Sequence, residues 1–369
     1  MAIGRGIREQ FDWPLFVCVV AIATLGVINL YSATSADVQY ADLYIQQIYW
    51  LTLGAGVATL VAAIDYRHFE RFGWFAYGGG IVLLVLVFLL GRSIRGSTRW
   101  IPIGSFSLQP SELMKVALIV ALAKFLHDDT KTDGRALKDL IIPGMILAIP
   151  MGLILAQPDL GTALMCAFIF GTVMVLTQLK LRSLFTLIAV FAASAPLAYN
   201  YALRGYQKTR ITEFLALWSG EQDIQGAGWH THQSLVSIGS GGFWGQGYMQ
   251  GTQNQFGFLP DRHSDFPFAV WAEEQGLLGT TLLVGLYMFL VLWGLRIASQ
   301  AKDRFGAVCA VGVSALIFWQ SVINLGMVSG LLPVVGITLP LFSHGGSSVL
   351  TVSICIGLLM NVSMRRFQY

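Results

Sequence analysis

Asp265 stands where a polar stretch ends and an apolar helix begins with Phe266-Pro267-Phe268. A carboxylate at such a junction is partly desolvated, which makes it a better proton acceptor near neutral pH. An aspartate ahead of a helix with proline in its first turn is also a normal N-cap, and spacing alone favours the cap. Glu112 and Lys115 are a different case. At i, i+3 they share one helix face and can pair, and they lie inside an apolar span. Ionisable groups in a span are costly and usually face a polar cavity, the alternative being a pair close enough to the surface to be solvated. Asp159, in Gln157-Pro158-Asp159 between two apolar runs, reads as a helix cap, and Glu273 and Glu274 read as solvated.

Positive charge gathers in two connections. Arg92, Arg95 and Arg99 lie in 91–110, and Arg204, Lys208, Arg210 and Arg262 lie in the long loop 204–265. Guanidinium groups clamp phosphate oxygens bidentately, so the two groups suggest an anion-binding surface, with phosphates on a lipid as the natural partner. Long loops also cross a membrane whatever their charge, which is the plain alternative. The run Gly239-Ser240-Gly241-Gly242-Phe243-Trp244-Gly245-Gln246-Gly247 has no preceding strand, so a nucleotide fingerprint is disfavoured. Close backbone approach, to a helix or to a phosphate, suits these glycines better. His230-Thr231-His232 lacks a third ligand at metal spacing and reads as a structural pair.

The elements that must position these residues are membrane helices. Of the 369 residues 55% are hydrophobic and only 12% charged, against about 25% charged in soluble domains. Ten segments are apolar enough to span: about 13–33, 44–64, 72–90, 111–126, 140–157, 160–178, 184–203, 266–295, 306–325 and 346–364. The fold class expected is therefore an all-α integral membrane protein of about ten transmembrane helices. It forms one polytopic domain over 1–369, with a large loop between helices 7 and 8. Lys and Arg concentrate in alternate connections, among them Arg5, Arg8, Arg67, Arg71, Lys131, Arg135, Lys180, Arg296, Arg304 and Arg365. That bias puts both termini in the cytoplasm and loop 204–265 outside. The first run is too long for a signal peptide and reads as a retained helix. A net charge of +3 gives no footprint for nucleic acid, and Cys18, Cys166, Cys309 and Cys355, all in apolar segments, indicate no disulfide framework.

Four stretches together carry a resemblance. They are Ser107-Leu108-Gln109-Pro110-Ser111-Glu112-Leu113-Met114-Lys115, Ala156-Gln157-Pro158-Asp159-Leu160-Gly161-Thr162, Gly251-Thr252-Gln253 through Asp265-Phe266, and Asn324-Leu325-Gly326 through Gly336. In order and at matching hydropathy positions, they resemble the SEDS family (shape, elongation, division and sporulation) over nearly the whole chain. Gly251-Thr252-Gln253 and Arg262 before His263 resemble its RodA branch rather than FtsW. Ser343-His344-Gly345 departs from the family, which usually has Tyr in place of His344.

The resemblance implies a peptidoglycan glycosyltransferase that polymerises lipid II, a lipid-linked disaccharide-pentapeptide, at the outer face of the bacterial cytoplasmic membrane during elongation. It implies that Asp265 is catalytic, reversing the preference for a cap, and that Glu112, Lys115 and Asp159 support it. Arg99, Lys208, Arg210 and Arg262 are then candidates to hold the leaving pyrophosphate, with Mg²⁺ or Mn²⁺ as ions that could bridge its oxygens and no organic cofactor. A class B penicillin-binding protein transpeptidase and other elongation-complex membrane proteins are the implied partners. A lipid II flippase and a non-catalytic scaffold are the alternatives. No inverted repeat or paired broken helices are evident to favour the first, and the second leaves the loop's charges without a purpose.

Overall fold

The structure, a computed structural model, describes residues 10–366 apart from 36, 38–39, 95–96, 105, 130, 132–133, 178, 198, 201–204, 221–222, 224–225, 227 and 260. Arg5, Arg8, Arg95 and Arg204 of the sequence reading, and the side chain of Arg92, therefore lie outside the description. Each of the ten segments expected to span holds a helix among the described residues: α1 Trp13–Ser35, α2 Leu43–Ala63, α4 Gly73–Leu90, α5 Pro110–Asp128, α6 Ile141–Ala156, α7 Leu160–Leu176, α8 Leu181–Leu197, α12 Pro267–Ser299, α13 Arg304–Val328 and α14 Gly346–Arg365. A short α3, Tyr66–Arg71, links α2 to α4.

Among the described residues seven helical stretches are long and apolar enough to cross a membrane: α1, α2, α4, Leu137–Ala156, α12, α13 and α14. Helices α7 and α8, at 17 residues each, are shorter, and α5 carries Glu112, Lys115, Lys124 and Asp128. The chain is a multi-pass helical membrane protein. Helices α5, α13 and α14 are buried on nearly every side, whereas α2 and α4 keep most of their apolar side chains on the outside. That inversion is expected in lipid, where an outward apolar face needs no protein cover and the interior can carry polar groups.

Three features differ from the sequence reading. The connection 91–110 is not irregular. It folds as a three-stranded antiparallel sheet, β1 Arg92–Ile94, β2 Ser97–Ile103 and β3 Phe106–Leu108, with Arg92 opposite Trp100 and Ile101 opposite Leu108. Its Thr, Trp and Ile residues suit a pleated ribbon, a small addition to a chain that is otherwise helical as expected. The long loop holds α9 Gly205–Ser219, α10 Trp229–Gly241 and the single turn α11 Thr252–Gln255. Finally α12 is broken at Gly276, whose φ of 61° and ψ of −161° are not helical.

The break explains the glycine run. The backbone of 241–247 lies directly against it: Gln246 N–H donates to the Glu273 carbonyl at 2.9 Å, Gly247 N–H to Glu274 at 3.1 Å, and Leu277 N–H to Gly242 at 2.9 Å. Carbonyls and amides freed by the interruption are thus satisfied by a passing strand of chain, as burial in lipid or protein demands. A Cβ at Gly276 would overlap the Gly245 nitrogen, and one at Gly245 would overlap the Glu274 carbonyl. The same crossing buries Glu273 and Glu274, correcting their reading as solvated. Glu273 Oε1 accepts from Gln253 N–H at 2.8 Å, and Glu274 accepts from the Ser32 hydroxyl of α1.

Candidate active site

Residues 329–345, between α13 and α14, fold back into the helices, burying Ile337, Leu339, Leu341 and Phe342. Two of the candidate residues, Asp265 and Arg210, touch this returning segment. Gly336 lies beneath Asp265, a Cβ built on it standing 3.5 Å from Asp265 Oδ2. Asn324 of α13 donates both to the Asp265 backbone carbonyl (3.0 Å) and to Ile337 O (2.7 Å), clamping the Asp265 turn to the segment. The His344 N–H donates to His263 O at 2.9 Å. The N-cap position of α12 falls on Phe266, so Asp265 stands one residue outside the helix rather than at its cap.

Gly336 has φ +72°, a region a side chain enters only at a cost of about 1–2 kcal/mol. Gly336→Ala should lower thermal stability by about that amount. Its methyl would also stand in van der Waals contact with the Asp265 carboxylate, crowding a group that approaches it from that side, and should reduce turnover further than the lost stability explains. A variant with parent turnover and parent stability would show that this contact does not position Asp265.

Glu112 and Lys115 pair as their spacing suggests, Lys115 Nζ donating to Glu112 Oε1 at 2.8 Å. The alternative of a solvated surface pair is ruled out by burial, since Lys115 is 1% exposed and Glu112 8%. Glu112 Oε2 has no partner among the described residues, and neither do Ser111 Oγ of α5, Gln320 Oε1 and Asn324 Oδ1 of α13, or Thr351 Oγ1 of α14. Buried polar atoms are satisfied in the great majority of cases, so these five are open to polar ligand atoms or water.

Asp159 does three jobs at the start of α7. Oδ1 accepts from Thr162 N–H at 3.2 Å, the capping bond expected, and Oδ2 accepts from the Thr162 hydroxyl at 2.9 Å and from Gln109 Nε2 at 3.1 Å. Its Oδ1 also faces Arg99 Nη1 at 3.5 Å, while Arg99 Nη2 donates to Pro158 O at 2.6 Å. Gln109 is in turn tied to α14 through its N–H on Ser347 Oγ at 3.0 Å. Arg99 and Arg210 line one groove of about 150 Å³ with Gln207, Gly161, Val334 and Val335. Arg210 Nη1 donates to Val334 O at 2.9 Å. Val334 and Val335 immediately precede Gly336, so the groove and Asp265 share a floor.

Two basic candidates are placed elsewhere. Lys208 donates to Asn200 O at 3.0 Å and lies 5.6 Å from the Tyr199 ring centre, so it does not line the groove. Two positions from Arg210 on α9, it is turned about 200° around the helix. Arg262 is buried, donates to Asn254 O at 2.6 Å and faces Asp37 at 3.8 Å, and burial lowers its pKa. It ties the Asp265 turn to α11, a structural staple. Sequence reasoning missed Gln109, Gln320, Asn324 and Ser347 as members of the site. For Gln320 and Asn324 the signal available was an amide side chain inside an apolar helix.

Near this site no three carboxylate, His or Cys donors converge among the described residues, so the side chains do not build a cage for Mg²⁺ or Mn²⁺. The one such convergence among the described residues, Glu70, His127 and Asp128, contains the Lys124 ammonium, 3.3 Å from Glu70 and 2.8 Å from Asp128. It also lies 15 residues, about 22 Å, along α5 from Glu112. The His230 ring stands 6.1 Å from that of Phe266.

His344 replaces the tyrosine usual in the resembled family. Its Nδ1 is buried without a partner among the described residues, and burial, then the neighbouring His263, lower its pKa to about 4. The folded chain thus prefers neutral His344, while an unfolded histidine titrates near 6.5. Its contribution to stability is complete above about 6.5 and is lost as pH falls toward 4. The thermal inactivation midpoint should drop over that window, and less steeply in His344→Gln. Equal slopes would remove His344 as the cause.

A buried ion pair, a carboxylate at a loop–helix junction and two arginines lining a groove are thus held in one polytopic helical bundle. The FtsW/RodA/SpoVE cell cycle protein family matches residues 12–368, and the chain belongs to it. It is 36% identical over 359 residues to the peptidoglycan glycosyltransferase MrdB of Escherichia coli K12, covering 97% of this chain and 95% of that one. It is 32% identical to the peptidoglycan glycosyltransferase RodA of Treponema pallidum, covering 98% and 99%. Among solved structures, a chain from a study of how a peptidoglycan synthase complex coordinates polymerization and crosslinking superposes with TM-score 0.82 at 32% identity, covering 97% of this chain and 99% of that chain.

Proposed function

We propose that this chain is a peptidoglycan glycosyltransferase that polymerises lipid II, with release of undecaprenyl pyrophosphate. Membership of a family whose relatives carry that activity supports the class. The geometric observation that supports the site is the shared floor at 334–336, with Asp265 on one side and the Arg99–Arg210 groove on the other. We assign both termini to the cytoplasm and the site to the extracytoplasmic face of the bacterial inner membrane. The RodA-type role in elongation and rod shape, and pairing with a class B penicillin-binding protein transpeptidase, belong to the same proposal. The solved complex supports the partner, because there polymerization and crosslinking are coordinated.

The donor sugar is linked to pyrophosphate in the α sense and the product is β-1,4, so one inverting displacement suffices. The incoming 4-hydroxyl attacks the anomeric carbon as the bond to pyrophosphate breaks. Asp265 takes the hydroxyl proton, the role a general base has in inverting glycosidases. The pyrophosphate leaves as an anion, stabilised by Arg99 and Arg210 without needing a proton. Asp159 orients Arg99. The buried Lys115–Glu112 pair is neutral overall and leaves Glu112 Oε2 open to a polar group of the substrate.

A flippase would use the same buried pair as a path across the membrane. Purified protein with labelled lipid II in detergent, where no leaflet exists to cross, separates the readings. Glycan polymer is expected. Its absence from folded protein that still binds lipid II would leave the flippase or the scaffold.

A further inference from the structure

The chain between Asp223 and Asp261 contains no Asp, Glu, Lys or Arg, although the sequence reading places it in a loop outside the membrane. A water-exposed connection of that length would ordinarily carry several charges, about a quarter of its residues. What it carries instead is glycine, glutamine and aromatic side chains, and many of the aromatics point outward. Trp244 is 77% exposed and Phe256 72%, with Phe243, Tyr248, Met249 and Phe258 also exposed.

The backbone fixes where these rings are. Leu277 N–H on Gly242 O, and Gln246 and Gly247 N–H on the Glu273 and Glu274 carbonyls, hold Phe243 and Trp244 beside the break in α12. The half of α12 that leaves the break starts with outward-facing Leu277, Leu278 and Leu282, the flank it presents to lipid. On the other side the Tyr248 hydroxyl donates to Ile28 O of α1 at 3.2 Å, and Asn254 Nδ2 to Ser32 O at 3.0 Å. The exposed rings therefore continue a lipid-facing surface instead of standing clear of it.

We propose that residues 242–258 are embedded in one leaflet of the bilayer, at the boundary of headgroups and acyl chains, with Phe243, Trp244 and Phe256 as its anchors. Trp and Tyr favour this level, and Phe joins Trp on the buried face of interfacial segments. Interfacial segments of this kind sit about 5–10 Å into the boundary. The segment is rigidly tied to the candidate site, since Arg262 bonds Asn254 O and Gln253 N–H bonds Glu273. It would set the height of the Asp265 turn against the phosphates of a lipid-linked sugar. That consequence rests on the function proposed above, but the embedding does not.

The test reads depth, not turnover. All four native cysteines are buried, so Trp244→Cys, Phe256→Cys and Asp223→Cys can each take a nitroxide in the full chain in lipid nanodiscs. Labels at 244 and 256 should be relaxed by oxygen severalfold more than by a water-soluble nickel chelate, relative to the exposed position 223. Nickel accessibility at 244 and 256 equal to that at 223 would overturn the proposal, and would leave the rings as a surface for a protein partner. A second readout needs no label. Trp244→Phe should remove part of the tryptophan emission that headgroup-proximal brominated lipid quenches. Loss of an unquenched component instead would equally contradict embedding.

Discussion

Asp265→Asn should reduce lipid II polymerisation by about 10²–10⁴-fold, the range a positioned general base supplies. The amide is nearly isosteric, keeps the backbone bond from Asn324, and cannot accept the hydroxyl proton. Affinity for lipid II should change little, because the groove of Arg99 and Arg210 is built by other elements. Single-turnover rates, with folding checked by thermal inactivation, read this directly. A variant within a few-fold of the parent rate would remove Asp265 from the chemistry.

The second large effect is expected at Lys115. Lys115→Met preserves the length of the side chain but leaves the Glu112 carboxylate buried and unpaired. Breaking a buried pair on one side costs about 3–5 kcal/mol, whereas replacing both partners is often near neutral. Lys115→Met should therefore lower stability by several kcal/mol, and the double variant Lys115→Met with Glu112→Gln should recover most of it. If the pair served only stability, the double variant would also regain activity. A pair that also serves the reaction should leave a double variant that folds and remains slow, as the Glu112 Oε2 without a partner among the described residues suggests. Thermal inactivation and polymer yield on the same preparations distinguish the two.

What could be read from the sequence is what acts along one element. The i, i+3 spacing gave the Glu112–Lys115 pair, the Gln157-Pro158-Asp159 corner gave the cap on Thr162, and hydropathy gave the helices. What could not be read acts between elements distant in sequence. Asn324 reaches Asp265 across 59 positions and Gln109 reaches Ser347 across 238. Glycines that looked fit for either a helix or a phosphate proved to serve a helix, because the break at Gly276 has no marker until its partner strand is seen. Arg262 and Lys208 looked equivalent to Arg210 as charges. Only packing shows that one is a staple and one faces away from the groove.

The returning segment 329–345 changes how the loop and the bundle relate. Gly336 and His344 meet the Asp265 turn, Val334 takes Arg210, and Thr338 bonds Ser348 Oγ at 2.9 Å at the top of α14. The loop that carries Asp265 is therefore positioned by a second connection, itself held by α13 and α14. A substitution in either connection should be felt at the other.

The assignment of Asp265 as the base is tested most directly by the pH dependence of kcat/KM for purified protein on lipid II, parent against Asp265→Asn. The parent should lose activity on the acid side as a single carboxylate protonates. In Asp265→Asn the residual rate should show no such limb. An unchanged acid limb in the variant would place the proton acceptor on another residue and contradict the mechanism.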